Sequence, residues 1–146
     1  MRKLIFLLAF IGLNACKSGQ YFVSKSPDLE VGEYTHSFAM IADEEASPRL
    51  QFFSQVLKKQ FIEKKWIYDD IDPDFWVSVA EMNSSHRIRL HLGKSDRRQI
   101  KNSGIAFSLQ LIDQDNHRSI WRSVVLDLPH EMGERHYTRV ASSLLP

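Results

Sequence analysis

The sequence predicts an α+β domain: a mainly antiparallel sheet covered on one face by two helices, in the order β-β-α-β-β-β-β-α. Three observations predict it. Most segments after residue 74 alternate apolar and polar residues, which places the apolar ones on one face of each strand. Two other stretches repeat their apolar residues at helical spacing. One-sided alternation calls for a sheet with one covered face, and two amphipathic helices are the natural cover.

Each element follows from local chemistry. Tyr21-Phe22-Val23 is a short β-prone run stopped by Pro27. Residues 32–41 read as a second strand, with Tyr34, His36, Phe38 and Met40 on one face and Glu33, Thr35, Ser37 and Ala39 on the other. A helix starts where Ser47 can cap and Pro48 fits the first helical position, with Glu44 and Glu45 at the positive end of the dipole. Leu50, Phe53, Leu57 and Phe61 form its apolar stripe, widened by Phe52 and Val56. Lys58, Lys59, Lys64 and Lys65 gather toward its negative end, and the helix is expected to stop near Trp66. Strands follow at Phe75–Met82, after Pro73, and at His86–Leu92. In the latter, Ile88, Leu90 and Leu92 face one way and Arg87, Arg89 and His91 the other. Ile105, Phe107, Leu109 and Leu111 alternate in the next strand, and Asp113 to Asn116 read as a hairpin loop. The return strand runs from Arg118 to Leu128, with Ile120, Val124, Leu126 and Leu128 on one face and Trp121 and Val125 on the other, and ends at Pro129. A last helix fits residues 130–145, where Tyr137, Val140, Ala141 and Leu144 line one side.

The N-terminus carries a different message. Met1-Arg2-Lys3 precedes a ten-residue apolar run, Leu4 to Leu13, followed by Asn14-Ala15-Cys16. A membrane span needs about 20 apolar residues, so this run is too short to stay in a bilayer. A charged start, an apolar middle and a small residue before the cut are the parts of a secretory signal. Leu13-Asn14-Ala15-Cys16 resembles the lipobox of bacterial lipoproteins, with Asn14 where a smaller residue is commoner. The resemblance implies a diacylglycerol on the Cys16 sulfur, cleavage just before it, and acylation of the new amine. Lys17 follows. Among Gram-negative lipoproteins aspartate at that position favours the inner membrane, so the resemblance implies an outer-membrane protein facing the periplasm. The expected organisation is a signal peptide at 1–15, a lipidated leader at 16–20 and one domain at 21–146.

Cleavage leaves 131 residues, one domain by length. It removes Arg2 and Lys3, so 19 basic residues fall to 17 against 18 acidic ones. That balance argues against a nucleic-acid binder. Cys16 is the sole cysteine, so no disulfide can form within the chain and the core alone must supply stability.

Three segments resemble a family of small bacterial envelope lipoproteins known as domain of unknown function 4136. Phe61 to Trp66 followed by Asp72 to Val77 is similar to its helix end and following strand, although Lys65-Trp66 lacks that family's glycine. Phe107 to Trp121 is similar to its strand, aspartate-led turn and strand, with Ile120-Trp121-Arg122 the best match. Arg139 to Pro146 is similar to its final short helix. The resemblance covers roughly half of the mature chain. It implies a fold and an envelope location, and it brings no catalytic residue.

Several constellations invite a sharper reading. Asp70, Asp72, Asp74 and Glu81 mimic the spacing of a calcium loop, yet Phe75 stands where its glycine belongs and a strand follows in place of a helix. An acidic turn is the better reading. His130, Glu131 and His136 suggest zinc, but six-residue spacing separates the histidines by about 240° on a helix. His86 and His91 fall on opposite strand faces. Surface histidines fit all four. Neither Ser78 nor Ser108 sits in a glycine-framed nucleophile turn, and no phosphate loop or cofactor motif is present in the sequence. Trp76 and Trp121 read as core or half-buried sheet residues.

The basic stretch Arg87, Arg89, Lys94, Arg97, Arg98 and Lys101 holds Asp96 as its sole acid. Such a patch suits an anionic envelope lipid or glycan, or an acidic protein partner; a solvated strand face is the plainer alternative. The expected function is therefore a non-enzymatic binding or interaction module, lipid-anchored at Cys16. An accessory subunit of an outer-membrane assembly or secretion machine is the second reading, and a hydrolase with an unrecognised site the third.

Overall fold

The computed structural model describes residues 20–25, 35–41, 43, 45–83, 87–92 and 96–146, with backbone only for residues 20–25, 87–92, 96–98, 100 and 101. The signal, Cys16, Glu33, Tyr34, Glu44, His86 and Lys94 lie outside the described residues. The chain runs through β1 (Gln20–Lys25), β2 (Ser37–Met40), α1 (Pro48–Glu63), β3 (Ile67–Tyr68), β4 (Phe75–Met82), β5 (Arg87–Leu92), β6 (Asp96–Lys101), β7 (Ile105–Asp113), β8 (Ser119–Leu128) and α2 (Glu134–Leu144). It is an α+β fold, a six-stranded sheet in the order β1-β8-β7-β4-β2-β3 with the helices packed on it.

β1, β8, β7 and β4 pair antiparallel, as alternation predicts. β2 instead runs parallel to both β4 and β3. Parallel neighbours need a crossover, and α1 supplies it between β2 and β4. The strand expected at 32–41 is described as a strand only at Ser37–Met40. Phe38 and Ala39 are both buried there, so strict one-sided exposure does not hold in β2. Two strands were not expected: β3, only two residues long, and β6, which is mostly charged.

The core lies between the helices and one face of the sheet. Val77 of β4 stands opposite Leu111, Leu111 opposite Trp121, and Phe107 opposite Val125. All five are buried. The Phe53 ring of α1 stacks on Phe107 with centroids 4.0 Å apart, and Phe61 stacks on Phe38 at 4.8 Å. Trp121 is buried, and its Nε1–H donates to the Leu144 carbonyl at the end of α2 at 2.9 Å. Ser123 Oγ donates to the same carbonyl at 2.6 Å, so a helix-end acceptor is satisfied inside the core. Trp76, on the other sheet face, is half-buried.

Both ends of α1 are chemically specified. Ser47 Oγ accepts from the Leu50 N–H at 3.0 Å and donates to Glu81 of β4. Glu81 also receives Arg49 Nη1 at 2.8 Å, which ties the helix start to the end of β4. The helix stops at Glu63, three residues before Trp66. There the Trp66 N–H donates to the Phe61 carbonyl at 3.1 Å and the Lys65 N–H to the Ile62 carbonyl at 2.9 Å. Trp66 and Phe61 rings meet at 5.1 Å. This is a Schellman cap, and it holds Lys65 at φ 68°, a left-handed position usually filled by glycine. A side chain there costs roughly 1–2 kcal/mol, part of which glycine's greater unfolded-state entropy would cancel. Lys65→Gly is expected to stabilise the domain by about 0.5–1 kcal/mol in thermal or urea unfolding; destabilisation would show that the cap is not formed.

The second helix begins at Glu134, so His130 and Glu131 precede it and do not share a helical face with His136. β5 and β6 form a separate two-stranded sheet nested inside the β4–β7 pair. Its root at the β7 side is fixed by a polar knot around buried Asn102. Asn102, fully buried, donates from Nδ2 to the Gly104 carbonyl at 2.9 Å and accepts from the Asp127 N–H at 3.0 Å. Ser103 donates its N–H and Oγ–H to Asp127 Oδ1 at 2.6 and 2.9 Å. Gly104 is required here, because a Cβ would lie 2.3 Å from the Leu128 carbonyl oxygen.

Candidate functional site

Sheet topology brings three distant segments to one end of the β4–β7 pair. They are His36 just before β2, residues 72–75 leading into β4, and residues 113–115 where β7 turns toward β8. His36, Asp72, Pro73, Asp74, Phe75, Asp113, Gln114 and Asp115 surround a cavity of about 280 Å³. That is at the small end for ligand pockets, with room for one side chain or a comparably small polar group.

Asp74 holds the site together. Its Oδ2 accepts the Ser37 N–H at 2.6 Å and the Ser37 Oγ–H at 2.9 Å, and its own N–H donates back to Ser37 Oγ at 2.8 Å. The Asp74 carbonyl accepts from the Gln114 N–H at 3.1 Å. One residue thus joins the β2, β4 and β7 segments. Asp72 Oδ1 accepts Gln114 Nε2 at 2.8 Å, which fixes the orientation of that amide. Asp69 Oδ1 accepts the N–H groups of Ile71 and Asp72 at 3.0 and 3.2 Å, and Asp113 Oδ1 that of Asn116 at 3.0 Å. These carboxylates shape turns in the way short acidic side chains commonly do. The His36 ring sits 5.0 Å from Trp66 and 5.3 Å from Phe75.

Two polar atoms of the lining stand apart. His36 Nε2 and Gln114 Oε1 are shielded from solvent and have no hydrogen-bond partner among the described residues. An unpaired buried polar group costs about 1–3 kcal/mol, so a partner that supplies the missing hydrogen bonds recovers that cost.

The structure distributes the sequence candidates unevenly. Asp72 and Asp74 line the cavity, while Glu81 lies seven residues along β4 beside Ser47 and Arg49. Among the described residues no group of three or more His, Cys, Asp or Glu is arranged to hold a metal ion. Ser78 of β4 stands opposite Gln110 of β7, and Ser108 of β7 opposite Ala80 of β4. His36, Ser37 and Gln114 were not singled out as site residues in the sequence; the acidic turn at Asp72 and Asp74 and the Asp113–Asn116 loop signalled that end of the sheet. Within the basic stretch, Arg87 pairs with Lys101, Arg89 with Gln99, His91 with Arg97, and Leu90 with Arg98. Lys94 lies outside the described residues.

No protein-family model and no curated protein matches the sequence. Solved structures do resemble the fold. A PDZ domain protein from Parabacteroides distasonis matches with TM-score 0.56 and 13% identity, over 94% of this chain. This chain spans 38% of that protein. A variant of PelC from Paraburkholderia phytofirmans, a dodecamer, matches with TM-score 0.51 and 15% identity, over 86% of this chain and 92% of that one. At such identities the likeness establishes the fold. Among the described residues no helix is long and apolar enough to cross a membrane.

Proposed function

We propose that this is a lipid-anchored envelope protein, held at the outer membrane through Cys16 and facing the periplasm, that works as a binding module. The anchor rests on the arrangement of Arg2-Lys3, the Leu4–Leu13 run and the single cysteine after Ala15. The binding role rests on one observation: among the described residues His36 Nε2 and Gln114 Oε1 are left unpaired at a cavity whose Asp72, Asp74 and Asp113 are engaged in shaping it. A partner that inserts a small polar group there satisfies both atoms. A subunit role within a larger assembly is the second reading, favoured by the likeness to PelC, which forms a dodecamer.

The test is photo-crosslinking in living cells. A photoreactive residue replacing Asp115 at the cavity is expected to give a discrete adduct that one replacing Arg139, exposed on α2, does not. Masses that match a second copy of this chain would favour the assembly reading. Identical patterns from both positions, or none from either, would count against a binding role for the cavity.

A further inference from the structure

Strand register gives the domain two ends. Gln20 of β1 pairs with Leu126, Ile105 with Leu128, and Met82 with Ala106. These residues form one end of the sheet. Lys25 pairs with Trp121 and Phe75 with Asp113, and the cavity lies at this second end. The seven steps from Phe75 to Met82 separate the ends by about 23 Å at about 3.3 Å per residue.

Two features leave from the first end. The leader from Cys16 enters it at Gln20, so four residues confine the anchor to within about 14 Å of that point. The β5–β6 hairpin grows from it too, between Met82 and Ile105. In an antiparallel ladder directly opposed residues share a face, and faces alternate along each strand. Arg87, Arg89, His91, Arg97, Gln99 and Lys101 therefore occupy one face of the ribbon, with four fixed positive charges and no acid. Ile88, Leu90, Leu92 and Ile100 dominate the other, alongside Asp96 and Arg98. A ribbon with a basic face and an apolar face, beside a lipid anchor, has the composition of an element that lies in a membrane interface.

We infer that the β5–β6 hairpin is a second membrane contact, its basic positions meeting anionic phospholipid headgroups of the leaflet that holds the lipid on Cys16, so that the cavity end points away from the bilayer. This rests on the lipid-anchor reading. Acylated Cys16 already retains the protein, so the hairpin orients it. Charge attraction to a headgroup layer acts over about a Debye length, which suits a segment rooted at the anchored end and excludes the far end.

The test uses the full mature, lipidated chain in vesicles of phosphatidylcholine alone or enriched in phosphatidylglycerol. With Cys16 acylated, a cysteine introduced at exposed Gln99 or at exposed Asp115 is the sole thiol for a fluorescent label. A headgroup-borne quencher is expected to quench the Gln99→Cys label about threefold more in anionic than in neutral vesicles, and molar salt to abolish the difference. The Asp115→Cys label is expected to be quenched little in either. Combined Arg87→Glu, Arg89→Glu and Arg97→Glu should remove the lipid dependence, and the salt titration gives the same answer without a substitution. Protein that does not float with vesicles at all would refute the anchor. Protein that floats while its Gln99 label is quenched no more than its Asp115 label, or equally in neutral and anionic vesicles, would overturn the orienting hairpin alone.

Discussion

Phe53→Ala is expected to destabilise the domain by about 3–5 kcal/mol. The ring is fully buried and stacked on Phe107 at 4.0 Å, with Tyr137 of α2 a further neighbour at 6.2 Å. It therefore bridges α1, α2 and the centre of the sheet. Truncation removes both the transfer energy of the ring and the contacts around the cavity it leaves. Domains of this size are stable by about 5–15 kcal/mol, so the loss is a large share of the total. No disulfide is available to offset it, because the sole cysteine lies at position 16. Phe52, the adjacent residue, is 40% exposed and touches Tyr137 edge to face at 5.1 Å. Its truncation is expected to cost about 1 kcal/mol. Urea unfolding of both variants checks the contrast, and equal losses would mean that α1 does not seat on the sheet in this register.

Cys16→Ser has the largest expected effect on function. The oxygen of serine cannot take the place of the thiol that the lipobox resemblance requires, so the variant is expected to lack the proposed acyl anchor. One acyl chain gives only marginal membrane binding and several give durable anchoring; none leaves the hairpin alone. Hairpin charges screened at physiological salt do not replace hydrophobic insertion. The variant is expected to leave the outer-membrane fraction almost entirely. Unchanged sedimentation with the outer membrane would show that something other than the lipid holds the protein.

Parts of this architecture are written locally and others are not. The start of α1 is legible because Ser47, Pro48 and the Leu50–Phe61 stripe agree with one another. Its end is misread by three residues because the left-handed cap carries Lys65 in place of glycine. β7 is legible from alternation alone. β8 carries apolar residues on both faces, and its pairing with β7 turns Trp121 and Val125 to the core while Ile120 and Val124 stay half-buried. β3 is not legible, because two residues carry no period; it is held by pairing with β2, by Phe38 against Tyr68 at 5.5 Å, and by Lys58 Nζ over the Tyr68 ring at 3.1 Å. β6 is hidden by its charges and exists through its register with β5. Parallel placement of β2 beside β4 depends on α1 as a crossover, and no local pattern specifies it. The cavity inherits that dependence. Asp72 and Asp74 stand out in the sequence as an acidic repeat, yet the clamp that gives Asp74 its role joins it to Ser37, thirty-seven residues away. His36 and Gln114 become neighbours of that clamp only once β2, β4 and β7 are assembled.

Position matters as much for Cys16 and the basic stretch. Seventy-one residues separate Cys16 from Arg87 in the chain, and each was read in isolation from the sequence. Register places the entry to β1 and the root of the hairpin at one end of the sheet, which relates the two.

The central claim is that the mature protein is a Cys16 lipoprotein. Intact mass spectrometry of the membrane-extracted protein tests it most directly. The account predicts a chain that begins at Cys16 and carries the mass of a diacylglycerol and an amide-linked acyl group on that residue; a chain retaining residues 1–15, or one with an unmodified thiol at Cys16, would contradict it.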